Sequence, residues 1–171
     1  MPRAPKEPLD ALNLAAAAVV VEREFRLADF TRLADRLLAP DGMAAARIAM
    51  GSAGGVPTGE LEVRAEALLT CQRCLGPMRR TLRSTSQLAF VERDDAPIPA
   101  EYEAIPGDPR KVDLAELVED ELLLALPLIP MHGAGEQCRA QEPQPAPDRG
   151  AGPTSQEMRR PFAGLKDLLK H

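Results

Sequence analysis

A chain of 171 residues with a formal charge of −5 has room for one ordinary domain, and 12 glycines and 17 prolines shrink the part that can pack. Aromatic residues make up 3% and tryptophan is absent, so leucine, valine, isoleucine and alanine must build a modest core that gains from a staple. The acidic balance argues against broad non-specific binding of nucleic acid, while leaving room for a local basic patch or a basic protein partner.

Residues 1–10 are charged and proline-bearing and read as a loose arm, with no secretory signal expected. The longest apolar run, Leu14 to Val21, is too short to cross a bilayer. An odd cysteine count with one CxxC fits a reducing cytoplasm better than a secreted disulfide framework. Residues 14–27 mix signals: the alanines favour helix, while Val19, Val21 and Phe25 alternate with Glu22, Glu24 and Arg26. The alternation predicts a strand over roughly 19–25. Asp29 then stands where a cap would open a short helix near 30–39, whose stripe is Phe30, Leu33, Ala34, Leu37 and Leu38.

Arg47 to Met50 reads as a short strand, and Gly51 to Gly59 as a turn or flexible loop best taken as a hairpin connection. That loop lacks the lysine and hydroxyl pattern of a phosphate-binding loop. The cleanest alternation follows, with Leu61, Val63, Ala65, Ala67 and Leu69 on one side and Glu60, Glu62, Arg64 and Glu66 on the other. Cys71-Gln72-Arg73-Cys74-Leu75-Gly76-Pro77 comes next, and a second strand runs on to Val91. The pair predicts a hairpin with the CxxC at its tip. Residues 92–121 are acidic; their first half carries four prolines and reads as a loop or short extended excursion, anchored by Tyr102. Asp113 is a sound N-cap for a helix over 114–126, with Glu116 three residues on, and Pro127 ends it. Beyond Gly133 the chain is polar and proline-rich, and a terminal stretch carries Phe162, Leu165, Leu168 and Leu169 among basic residues.

Cys71 and Cys74 offer two thiolates from one turn, and His132 and Cys138 can complete a Cys3His set for one structural zinc. Gly76 resembles the glycine of a knuckle, where a missing side chain lets amides approach sulfur. Six positions separate His132 from Cys138, a loose spacing for a zinc pair. A redox pair and plain reduced cysteines stay open as alternatives, although CxxC here follows a strand in a hairpin and does not open a thioredoxin-like helix. For RNA the candidate contacts are Arg73, Arg79, Arg80 and Arg83, against the plainer reading of a charged strand face; no aromatic platform accompanies them. Glu116, Glu119 and Asp120 on the helix, with Phe162 and Leu165 near the end, are candidate partner contacts. No nucleophile, base and orienting group share a local context, so no catalytic residue is read.

The residues Cys71-Gln72-Arg73-Cys74-Leu75, the segment Val112 to Pro127, Pro130-Met131-His132 with Cys138 beyond, and Pro161-Phe162-Ala163 with Leu165-Lys166 stand in one order. In that order they resemble the bacterial YceD family, also called DUF177. The resemblance implies support of 23S ribosomal RNA accumulation by a ribosome-biogenesis factor, without supplying a reaction. It also places Cys71, Cys74, His132 and Cys138 in matching positions. The expected architecture is α+β, an antiparallel sheet packed against a few helices with a Pro-rich disordered C-terminal region. Residues 14–138 are expected to form the single domain, 139–158 a linker and 159–171 a hydrophobic-basic segment. Expected partners are 23S rRNA, a precursor of the large subunit or a basic ribosomal protein, with no membrane. An enzyme acting on precursor 23S rRNA and a zinc-stabilised adaptor without RNA contact remain as alternatives.

Overall fold

The computed structural model describes residues 7–133 and residue 138. Helix α1 spans Ala11–Ala16, strand β1 Val20–Arg26, helix α2 Thr31–Ala34, β2 Met43–Ala53, β3 Val56–Thr70, β4 Pro77–Val91, β5 Glu103–Pro106 and helix α3 Leu114–Leu124. The strands form one sheet in the order β1-β2-β3-β4-β5. The first three pairings are antiparallel and β4 with β5 is parallel, so the sheet is mixed. The α+β expectation holds with that amendment. No described helix is long and apolar enough to cross a membrane.

Alternation sorts the two sheet faces as the sequence implies. Ala44, Ala46, Ile48 and Met50 of β2 are buried beside Leu61, Val63, Ala65, Ala67 and Leu69 of β3, and Leu82, Leu88 and Phe90 extend the face onto β4. Alanines in these rows replace the missing aromatics by letting helices come close. Ala11 and Ala15 of α1 are 1% and 7% exposed, and α1 lies on β2 and β3. Helix α3 buries Leu114, Val118 and Leu122, a four-residue repeat that lines one helix face, against β3 and β4. Each such leucine contributes about 1.5–3 kcal/mol by leaving water.

Four local expectations change. The hairpin connection expected over Gly51 to Gly59 is present but shorter: β2 and β3 run into it and leave only Gly54 and Gly55 as the turn. Both have positive φ, 58° and 83°, which a two-residue hairpin of this hand demands. The loose arm ends early, since Leu9 is buried and exchanges both backbone hydrogen bonds with Val112, while Asp10 caps α1 by accepting from the Asn13 amide. The acidic stretch holds β5, a four-residue strand that pairs with residues 88–91 of β4.

The fourth change concerns α2, which has one turn and no local cap. Asp29 instead pairs with Arg26, and its hydrogen bond, then its charge, raises the Arg26 pKa. The capping oxygen comes from α3: one Glu119 carboxylate oxygen accepts from the Arg32 and Leu33 amides at 2.7 and 3.1 Å. Its other oxygen accepts from the Arg32 guanidinium at 3.2 and 3.0 Å, and Asp120 lies 2.6 Å from the same guanidinium.

Candidate metal centre

The hairpin of β3 and β4 closes over Cys71 to Gly76. The Cys71 amide donates to the Gly76 carbonyl and the Leu75 amide to the Cys71 carbonyl, both at 2.9 Å, which folds the tip into a tight turn. Leu75 takes the left-handed conformation, φ 58°, and Gly76 does not. A Cβ on Gly76 would meet the Cys74 sulfur at 3.5 Å, ordinary contact, so the knuckle does not require glycine there. The segment leaving α3 runs back beneath this tip. Its Pro130 carbonyl accepts from the Gln72 amide at 2.8 Å, and its Met131 carbonyl accepts from Arg80 at 3.0 Å.

This arrangement gathers the four expected ligands. The sulfurs of Cys71, Cys74 and Cys138 and one ring nitrogen of His132 lie within 4.8 Å of one another. Bonds of about 2.3 Å to sulfur and 2.0–2.1 Å to nitrogen at the tetrahedral angle put two sulfurs about 3.8 Å apart and sulfur and nitrogen about 3.6 Å apart. The Cys71 and Cys138 sulfurs are 3.8 Å apart, and Cys74 Sγ is 3.5 Å from His132 Nδ1. The donor set therefore fits a tetrahedral cation, and the cluster is capable of holding one. All three cysteines are free thiols. The other ring nitrogen, Nε2, is 3.3 Å from the Pro77 carbonyl; donating there selects the tautomer that leaves Nδ1 as the ligand.

The electrostatics prepare one thiolate. Desolvation pushes the Cys71 thiol up, but the amides of Cys74, His132 and Arg73 and the Cys74 side chain outweigh it and bring it to about 5. At Cys138 desolvation and the neighbouring sulfurs act together and raise the thiol to about 11. Such a cluster binds a cation by exchanging protons for it. With all four positions supplied by protein, the geometry is that of a closed structural site.

The other sequence-read residues scatter. Arg79 and Arg83 are exposed on the outer face of β4, whereas Arg80 points to the inner face toward Met131 and Arg73 rests its guanidinium 3.9 Å from the Met131 sulfur. The four arginines do not form one patch. Glu116 is exposed, but Glu119 is 8% exposed and spent on α2, and Asp120 is ion-paired to Arg32. Glu119 is thus a structural clamp, which corrects its reading as a partner contact. Phe162, Leu165 and everything after Cys138 lie outside the described residues. Arg64 went unmarked in the sequence, and only strand register reveals that it stands opposite Arg83.

A family model described as large ribosomal RNA subunit accumulation protein YceD matches residues 59–169, well over half of the chain. A protein of Haemophilus influenzae with the same description is 36% identical over 114 residues, 63% of this chain and 62% of that relative. The chain thus aligns with about three fifths of the relative's length. No solved structure matches it. The matched span runs from the fourth residue of β3 through the cysteine hairpin, α3, His132 and Cys138, and the chain belongs to the YceD family.

Proposed function

We propose that this protein supports accumulation of 23S ribosomal RNA in the cytoplasm as a non-enzymatic ribosome-biogenesis factor, in contact with rRNA or a precursor of the large subunit. The family match over residues 59–169 carries this reading, because the family's description names that outcome. The candidate metal centre supports it: four protein donors leave no open position for substrate, so a zinc ion held there staples the hairpin tip to the segment leaving α3. The bound ion would supply structural cross-linking only, while Cys71, Cys74, His132 and Cys138 hold it and the Pro77 carbonyl orients the imidazole.

The test is crosslinking of the full chain in cells, followed by identification of attached RNA and attached protein. Recovery of 23S rRNA or its precursor supports the reading, and recovery of protein partners that survive nuclease treatment, without RNA, replaces it with an adaptor. Cleavage or modification of precursor 23S rRNA by the purified protein replaces it with an enzyme. The adaptor reading has one supporting observation, a 350 Å³ cleft whose rim includes Asp108, Asp113, Glu116 and Asp120 beside Leu117, chemistry suited to a lysine or arginine of a basic ribosomal protein.

A further inference from the structure

On the outer face of the sheet the arginines of β1 and β2 have carboxylate partners. Arg47 stands between Glu22 at 3.8 Å and Glu62 at 3.2 Å, and Arg26 is paired with Asp29. The exception lies between β3 and β4, where Arg64 and Arg83 are direct cross-strand partners. Like charges placed opposite each other weaken a sheet, so folding alone gives no reason for this pair. The nearest carboxylate, Glu66, accepts from the Thr81 hydroxyl at 2.7 Å and reaches Arg64 only at 3.9 Å. Neither Arg83 nor Arg79 has a hydrogen bond or ion pair to a described residue, and all three arginines project from the exposed side of their strands.

Two further features concern access. β5 pairs only with residues 88–91, so no described strand covers the free edge of β4 at Arg79 and Arg83. The face also holds an open groove of about 690 Å³, where Arg64 and Arg83 line one side and Glu22, Glu24 and Glu62 stand with Arg47 on the other; Arg79 lies outside it. Charged residues on an edge strand can serve simply to repel other strands. That accounts for Arg79 and Arg83 but not for Arg64, which sits inside the sheet.

We propose that Arg64, Arg83 and Arg79 form a track for the backbone phosphates of single-stranded RNA on the outer face of β3 and β4. The proposal rests on the rRNA-contact reading above and deepens it. A phosphate between two opposed guanidiniums turns the repulsion into two charge-assisted contacts. With no aromatic ring in the outward rows of β3 and β4, the track grips backbone and is indifferent to base.

The experiment measures binding of a mixed-sequence single-stranded oligoribonucleotide to the full chain across a salt series, for the parent, for R64Q/R79Q/R83Q and for R26Q/R47Q. Losing three phosphate contacts should weaken binding about tenfold or more at low salt. It should also flatten the slope of log K against log salt by about 2, on roughly 0.7 per single-strand contact. The triple variant should melt no lower than the parent, since it relieves repulsion, and the R26Q/R47Q variant should keep the parent's slope. An unchanged slope in the triple variant overturns the track while leaving RNA contact standing. A parent that binds no oligoribonucleotide at low salt overturns the rRNA-contact reading itself. Loss of a nuclease-resistant protein partner by the triple variant, with RNA binding intact, overturns the track in favour of an acidic protein.

Discussion

Two clusters hold the helical layer, one helix to helix and one to the sheet, and they do so by opposite means. At the middle of α3, Glu119 reaches across to α2 and satisfies two backbone amides and a guanidinium with its own two oxygens. At the exit from α3, three thiols and an imidazole converge with nothing of their own to neutralise them as thiolates. The first clamp is chemically complete as folded, whereas the second becomes complete only with a cation. The domain can therefore keep its helical layer without metal and still need metal to hold the hairpin tip against the 128–132 segment.

The largest expected effect comes from breaking the second clamp. Native mass of freshly reduced protein should show one zinc ion that chelator removes, and an unchanged mass would end the zinc assignment. A metal present at 1,000 times its dissociation constant stabilises the fold by about 4 kcal/mol, so chelation should produce a fall in melting temperature of that equivalent. Cys71→Ser should abolish the chelator response. Hydrogen exchange should quicken in residues 71–78 and 128–132 and stay unchanged in α2, which isolates one clamp from the other.

The chelated protein also acquires a distinctive pH response. Cys71 has a folded pKa near 5 against an unfolded value of roughly 8.5, so its contribution is complete above the unfolded value and fades as pH falls toward 5. Cys138 shifts the other way, to about 11, and stability drains as pH rises from the unfolded value toward it. The metal-free melting temperature should thus peak near the thiol's ordinary range, and Cys71→Ser should remove the acid-side slope and weaken the alkaline one, since the Cys71 sulfur is one cause of the rise at Cys138. A metal-free profile identical in the two proteins would refute the shift at Cys71.

Breaking the first clamp should cost somewhat less. Glu119→Ala leaves two amides of a one-turn helix without their acceptor and the half-exposed Arg32 guanidinium with Asp120 alone, a loss of about 3 kcal/mol. Zinc content should not change. Glu119→Gln keeps one acceptor oxygen for the amides and should recover part of the loss; equal melting temperatures for parent and Glu119→Ala would show that α2 finds another cap.

How far these clusters can be read from sequence depends on the range of the contact. The cysteine hairpin was legible because its ligands flank a turn between two alternating runs, and the α3 cap because Asp113 lies two and three residues from the amides it serves. The α2 cap was not, since the nearest side chain of the right type, Asp29, turned to Arg26 and the actual acceptor came from 86 and 87 residues away. Gly51 to Gly59 was legible as a hairpin connection but not in its length. Glycine, serine and proline are weak strand formers, yet the ladder between β2 and β3 runs through them to Ala53 and Val56, with β4 joining only from Thr58. β5 was legible only as a short extended excursion, because four residues beside prolines give no period and its parallel partner lies more than ten residues back. The pairing of Arg64 with Arg83 needed register, which hydrophobic alternation fixes only to within two residues.

The smallest expected effect separates long-range capping from local capping. Asp113→Ala removes an oxygen that accepts from the Ala115 and Glu116 amides at the exposed start of α3, at 2.9 and 3.3 Å. The vacated amides can turn to water, so the loss should be about 1 kcal/mol, near the middle of the range for N-caps. Glu119 sits at 8% exposure, where water cannot take over so readily, and its capped amides include the buried Leu33. A threefold ratio between the two substitutions, read from denaturant midpoints with an unchanged slope, follows from that difference in burial. Equal losses would mean that the carboxylate of α3 acts on α2 as an ordinary surface cap does, and that the helical layer depends on the metal corner more than its own polar clamp suggests.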